Sequence, residues 1–353
     1  MSYINPRAKL YEHLDRLQTL KAGNMPSPVN LEIDLSNRCN LGCEWCHFAY
    51  THTRGPLAGK QDKPDNAILG GDMMGSEMID RILEQAWLCG VRSITWTGGG
   101  EPTLHPQFEK ALMGAYSRGI SQGVYTNGTM IDVSKANIIK GFCSWVYVSM
   151  DEPTRSSYER TKGFGFEKAC NGTRLLVATP GKATVGVGFM VHQGNYMQVE
   201  KMVSLGEDLR ADYIQFRPTV LFANDAPGKR ADDPTWVYDA IDYLAPYAKH
   251  PKVELDLERF KMYAEWEGHG YPACYWSALQ VVITPNGKLW TCVNKREYPG
   301  EEIGDLSVES LADVLRRRIL PHVNGNCRVL CRGHIPNLAL HEIMAEKPHS
   351  NFI

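Results

Sequence analysis

Cys39, Cys43 and Cys46 stand at the spacing C-x3-C-x2-C, directly after a short apolar run. Three thiolates inside eight residues can wrap one iron–sulfur cubane and leave its fourth iron without a protein ligand. An open iron is a place for a reaction, whereas a closed structural site wants four ligands. The spacing alone also admits a zinc ion, with His47 as its fourth ligand. Four more cysteines lie toward the C-terminus: Cys274 and Cys292, then Cys327 and Cys331 at C-x3-C. Cys89 ends a helix, Cys143 precedes a strand and Cys170 lies inside a helix, and each reads as a small packing residue.

Composition narrows what this chemistry serves. Hydrophobic residues make up 43% of the 353, enough for a sizeable core. Lys plus Arg is 38 against 40 Asp plus Glu, so no basic excess points to long nucleic acid as a partner. The run Arg316, Arg317, Arg318 reads as a solvated helix face. No stretch approaches the ~20 apolar residues that cross a bilayer, and the N-terminus lacks a signal-peptide core. The expected address is cytoplasmic, where cysteines serve metals or catalysis rather than disulfides.

The elements that position the cysteines follow a repeating order. A helix over 6–22, with Leu10, Leu14, Leu17 and Leu20 on one face, precedes the strand 29–35. After the cysteine loop, residues 51–75 read as a long loop carrying His52, Arg54, Lys60 and Lys63, a lid whose basic side chains suit an anionic substrate. Helix 76–89 follows, with Ser76 as N-cap and Gly90 as stop. Strands at 91–97, 120–126, 144–150, 183–191 and 212–218 then alternate with helices at 107–118, 132–140, 166–178 and 197–209. Six strands alternating with helices predict a parallel sheet, open or closed into a partial barrel. The working site of such sheets lies at the C-terminal strand ends. The cysteine loop, the loop Gly98–Pro102, Asn127, Ser149, Asp151 and Arg217 all fall there. Beyond 219 come a helix near 235–248, a hairpin over 278–293 turning at Pro285-Asn286-Gly287, and helices near 307–319 and 336–345.

Strand, C-x3-C-x2-C loop with Trp45 before the third cysteine, and a later strand followed by Gly-Gly-Glu-Pro: over about residues 29–218 the chain resembles the radical S-adenosylmethionine (SAM) superfamily. The resemblance implies a partial (β/α)6 barrel whose open iron is chelated by SAM. There the reduced cluster cleaves SAM to a hydrogen-abstracting 5′-deoxyadenosyl radical, with electrons from a reducing partner such as flavodoxin or ferredoxin. It makes Gly99, Gly100 and Glu101 the SAM-ammonium segment, with Pro102 behind them, and Ser149 the ribose contact. Trp45, Asn127 and Asp151 join the same cofactor site, with Asn127 equally readable as a turn residue and Asp151 as a helix cap. Arg217 suits the SAM carboxylate, a substrate acid or a surface salt bridge.

Cys274, twelve residues, Gly287, four residues, Cys292 resembles the SPASM and Twitch extensions of the same superfamily. With Cys327 and Cys331, four thiolates suit one fully ligated auxiliary [4Fe–4S] cluster, or a four-cysteine zinc ribbon. The expected organisation is an N-terminal helical extension (1–28), the barrel (29–220), a connecting segment (221–272) and a small α+β iron–sulfur module (273–353). A fully ligated second cluster suits outer-sphere electron transfer, which points to a dehydrogenation-type oxidation. The barrel begins about 28 residues in, so a small-molecule substrate is expected ahead of a peptide or a nucleotide. A non-catalytic electron carrier or zinc protein would need no SAM pocket. Glu265, Glu267, His269 and Tyr271 are candidates for a base without an assigned role.

Overall fold

The computed structural model describes residues 6–46, 72–219, 222–223, 226–230, 233–296, 300–323, 327 and 331–349. His47 and the lid residues His52, Arg54, Lys60 and Lys63 lie outside the described residues. At the N-terminus α1 (Pro6–Leu10) and α2 (Leu14–Lys21) precede β1 (Asn30–Asp34). Then β2 (Ser93–Thr97), β3 (Ser121–Thr126), β4 (Trp145–Ser149), β5 (Thr184–Val191) and β6 (Tyr213–Pro218) follow, each pairing in parallel with the one before it. Between them run α3 (Ser76–Leu88), α4 (Phe108–Ser117), α5 (Val133–Phe142), α7 (Phe166–Ala178) and α8 (Val199–Asp208). Parallel strands in sequence order, each with a crossover helix, wind into the partial barrel that the alternation predicted.

The helices form where the apolar period says they should. Ile79, Ile82, Leu83 and Ala86 bury one face of α3, and Gly90 ends it at φ +69°. The N-cap is Gly75, however, and Ser76 is the first helical residue. One helix was not legible: α6 (Arg155–Lys162) fills the interval between β4 and α7. Its buried face is Ser157, Tyr158, Thr161 and Lys162, almost wholly polar, so no apolar stripe betrays it. Thr154, not Asp151, caps it by accepting from the Ser157 amide.

The C-terminal segment extends the same sheet. After the ribbon β7 (Phe222–Ala223) and β8 (Ala226–Arg230) come α9 (Trp236–Leu244), β9 (Val253–Glu254), α10 (Leu257–Ala264) and α11 (Trp276–Leu279). Next, β10 (Gln280–Ile283) lies parallel to β1 on the side opposite β2, with Leu31 opposite Val281. Gly287 turns the expected hairpin at φ +81° into β11 (Lys288–Trp290), which pairs antiparallel with β10 and with β12 (Glu302–Asp305). Helices α12 (Leu311–Arg317) and α13 (His334–Met344) close the chain. Arg318 departs from the solvated face expected of it: it is 8% exposed and donates to the carbonyls of Pro26, Ser277 and Ala278. It thereby ties the segment before β1 to the end of α11.

Along β1, Leu31 and Ile33 join the core beneath the helices, while the alternating Glu32 and Asp34 turn to the other face of the sheet. On that inner face, aromatic rings fill the space above glycines of the neighbouring strand: Trp145 over Gly123, Tyr147 over Gly188, Tyr213 over Gly186. Among the described residues no helix is long and apolar enough to cross a membrane.

Candidate active site

The cysteine loop leaves the C-terminal end of β1 and is held from three sides. From below, the Gly100 amide donates to Ser36 O (3.0 Å) and the Glu101 amide to Arg38 O (2.9 Å). A Cβ on Gly100 would stand 2.0 Å from Arg38 O, so only glycine lets the two loops lie together. From the side, the last carbonyls of α6 take the loop's amides: Gly42 N donates to Lys162 O and Glu44 N to Thr161 O, both at 2.9 Å. The unforeseen helix α6 is therefore a scaffold of the cysteine loop. From β3, Asn127 Nδ2 donates to Asn40 Oδ1 (2.9 Å), and Asn40 Nδ2 to Thr129 Oγ1 (2.8 Å).

Glu101 is the junction of this frame. It is 2% exposed; Oε1 accepts from Thr126 Oγ1 (2.6 Å) and Thr103 Oγ1 (2.5 Å), and Oε2 from the Asn127 amide (2.7 Å). Burial pushes its carboxyl up, opposed by the hydroxyls of Thr103 and Thr126. Gly99 lies in the same loop, and Asn127 is tied into the network rather than left as a bare turn. A Gly100→Ala variant must part the two loops; it is expected to lose about 2–4 kcal/mol of stability. Thermal unfolding together with iron content after reconstitution measures this, and both should fall.

Beyond β4 the strand does not continue, so Asp151 does not share the face of Ser149 by alternation. The strand ends at Ser149, and Asp151 sits at φ +67° with its amide donating to Gly188 O (2.8 Å). Its carboxylate takes Lys162 Nζ at 2.6 Å, and the same ammonium donates to Ser149 O at 2.5 Å. Lys162 is 1% and Asp151 3% exposed, a buried pair lying between β4 and the cysteine loop. Nearby, the Trp45 ring lies 5.4 Å from that of His192, whose Nε2 is 2.9 Å from Glu152 Oε1. Arg217 points inward rather than to a surface salt bridge: its Nη2 donates to Tyr147 Oη (2.5 Å) and its guanidinium stands 4.6 Å over the Tyr147 ring.

The second cysteine group stands around the same inner face. Burial first, then Cys331 and Cys327, pushes the Cys274 thiol up to about 11, and burial with Cys331 and Cys274 pushes Cys292 up to about 12. Cys331 therefore lies within electrostatic reach of Cys274, Cys292 and Cys327. Cys39 is raised likewise by burial, then by Cys43, Glu101 and Cys46. Cys331 Sγ accepts from the Gly333 amide (3.4 Å) and Asn294 Nδ2 (3.6 Å). Two ion pairs tie this group to β1: Arg296 to Asp34, and Arg332 to Glu32. Among the described residues no three His, Cys, Asp or Glu side chains converge as tightly as a single metal ion requires. Cys143 and Cys170 are buried in packing roles, and Cys89 caps α3.

Sequence reasoning missed Lys162, Glu152, His192 and the arginines paired with Glu32 and Asp34. Only the alternation NLEID hinted that two acids face the interior; their partners lie 262 and 300 residues away.

A parallel partial barrel with a three-cysteine loop at its C-terminal mouth defines a cofactor-bearing enzyme of α/β class. Residues 33–205 match the Radical SAM superfamily, and the chain carries a radical SAM domain, whose cofactors are a [4Fe–4S] cluster and SAM. It is 28% identical over 270 residues to the tungsten-containing aldehyde ferredoxin oxidoreductase cofactor-modifying protein of Pyrococcus furiosus, covering 69% of this chain and 70% of that protein. It is 21% identical over 294 residues to the PqqA peptide cyclase of Gluconobacter oxydans, covering 82% and 76%. In fold it is similar to Streptococcus suis SuiB bound to S-adenosylmethionine, at TM-score 0.62 and 17% identity over 88% of this chain and 71% of that one.

Proposed function

We propose that this radical SAM enzyme oxidises a small-molecule substrate by two electrons. Cys39, Cys43 and Cys46 hold the cluster that takes SAM, and Cys274, Cys292, Cys327 and Cys331 hold a second. The observation that carries the reading is the place of the second group: β10 lies parallel against β1, the strand that leads into Cys39, and its hairpin returns through the antiparallel β11 into Cys292. The pairs Asp34–Arg296 and Glu32–Arg332 fix that relation. When bound, the cofactors supply the reducing electron, the hydrogen-abstracting 5′-deoxyadenosyl group and an acceptor for the substrate's second electron.

The donor set suits these groups. A cubane offers a separate iron to each thiol, so its ligands need no common centre, unlike the zinc alternative. The chain's own part is to bind, orient and exclude water. The amides of the Gly100–Glu101 loop and the α6 carbonyls fix the cysteine loop. Trp45, Gly99, Asn127 and Ser149 are our candidates for the residues that face SAM, Asp151 acts behind them through its pair with Lys162, and the rings of Tyr125, Tyr147 and Tyr213 keep the interior dry. A flavodoxin or ferredoxin in a reducing, cytoplasmic compartment is the expected electron source. A peptide substrate is the second reading, favoured by the similarity to the PqqA peptide cyclase.

After anaerobic reconstitution the chain should bind about eight irons. A Cys274→Ala/Cys292→Ala variant should keep about four, still release 5′-deoxyadenosine, and fail to form a product two hydrogens lighter than the substrate. Oxidised product at the wild-type rate from that variant would remove the second group from the reaction.

A further inference from the structure

A cavity opens on the inner face between the end of β6, α10 and the start of α13, lined by Arg217, Arg259, Arg332, Asp256, Cys331 and His334. Three guanidinium groups share one recess. Arg332 is paired with Glu32, and Arg217 rests on the neutral phenol of Tyr147. Among the described residues the Arg259 guanidinium has no hydrogen-bond or ion-pair partner; its Nε is buried without one, as is the Nε of Arg217. Asp256 caps α10 through Oδ1 to the Arg259 amide (3.2 Å) and makes no ion pair with that side chain. Burial, and next the charge of Arg217, hold Arg259 below the ordinary guanidinium value.

A buried donor left unmade is costly, and a buried like-charged pair more so. Glu32 and Asp256 offset two of the three cations and leave a surplus of one. A guanidinium fork matches the two oxygens of a carboxylate. We propose that this cavity binds one carboxylate of the substrate, held by Arg259 with Arg217 and Arg332. The inference rests on the reading above in placing the substrate beside Cys331. A phosphate dianion would exceed the surplus. The rival use of the same cations is to offset the charge of the thiolates at Cys331.

The test uses the anaerobic, SAM-bound holoprotein and acetate as the probe, followed by saturation-transfer NMR at constant ionic strength. Wild type should bind acetate more tightly than inorganic phosphate, and acetamide should not compete. Arg259→Gln should weaken acetate at least tenfold, and Arg259→Lys should restore part of the loss. Equal acetate binding in wild type and Arg259→Gln overturns the proposal, as does tighter binding of phosphate. Lowered iron content or altered cluster absorption in Arg259→Gln, with acetate binding intact, also overturns it and assigns the cations to the cluster. A 5′-deoxyadenosine assay on wild type is read separately, since its failure sinks the enzymatic reading and leaves the acetate result standing.

Discussion

A Cys39→Ala variant is expected to bind about four fewer irons per chain and to release no 5′-deoxyadenosine above background when given SAM and dithionite. The size of the effect follows from the geometry. Cys39 is the first residue of the trio, half-buried beside Glu101 and the Gly100 loop, and its Sγ accepts from the Leu41 amide at 3.4 Å. A loop held by backbone bonds on both sides cannot slide another thiol into that place. Two remaining thiols leave the cubane short of a ligand, and without the cluster no electron reaches SAM. The loss should therefore be complete rather than graded, about a thousandfold or more in rate. Anaerobic iron analysis with chromatographic assay of 5′-deoxyadenosine measures it. Normal deoxyadenosine release from the variant would remove the first trio from the chemistry.

The sequence spoke clearly where local physics is strong. Alternating strands, apolar helix stripes and the Asn286-Gly287 turn announced the barrel, α3, α7 and the hairpin. It was silent on α6 because that helix is buried through Tyr158, Thr161 and Lys162 rather than through an apolar stripe. It was silent on the union of β10 with β1 because parallel pairing across 250 residues leaves no local mark. The cysteines were legible as candidate ligands by spacing alone. The charges that hold them were not, since the partners of Glu32, Asp34 and Asp151 are set by the folded barrel.

Lys162→Met is expected to destabilise the protein by about 3–5 kcal/mol, because it leaves the Asp151 carboxylate buried and uncompensated. For a chain of this length that is a fall in Tm of roughly 4–7 °C. The double variant Asp151→Asn/Lys162→Met removes both charges and should recover most of the loss, since an ion pair in this setting gains little over a neutral pair. The pH dependence carries a sign. Burial alone would lower the Lys162 value, but the Asp151 carboxylate outweighs it and the net direction is upward. A lysine with a raised folded value contributes fully below about pH 10.4, its unfolded value, and the contribution is lost as pH rises through the folded value. The stability gap between wild type and the double variant should thus stay flat from neutral to about pH 10 and shrink only above it. Because the Lys162 and Thr161 carbonyls hold the amides of Gly42 and Glu44, the single variant should also retain less iron than its loss of stability explains. Denaturant unfolding across pH, paired with iron analysis of the reconstituted variants, tests both halves. A Lys162→Met protein as stable as wild type would show that water reaches Asp151 and that the pair is not a buried one.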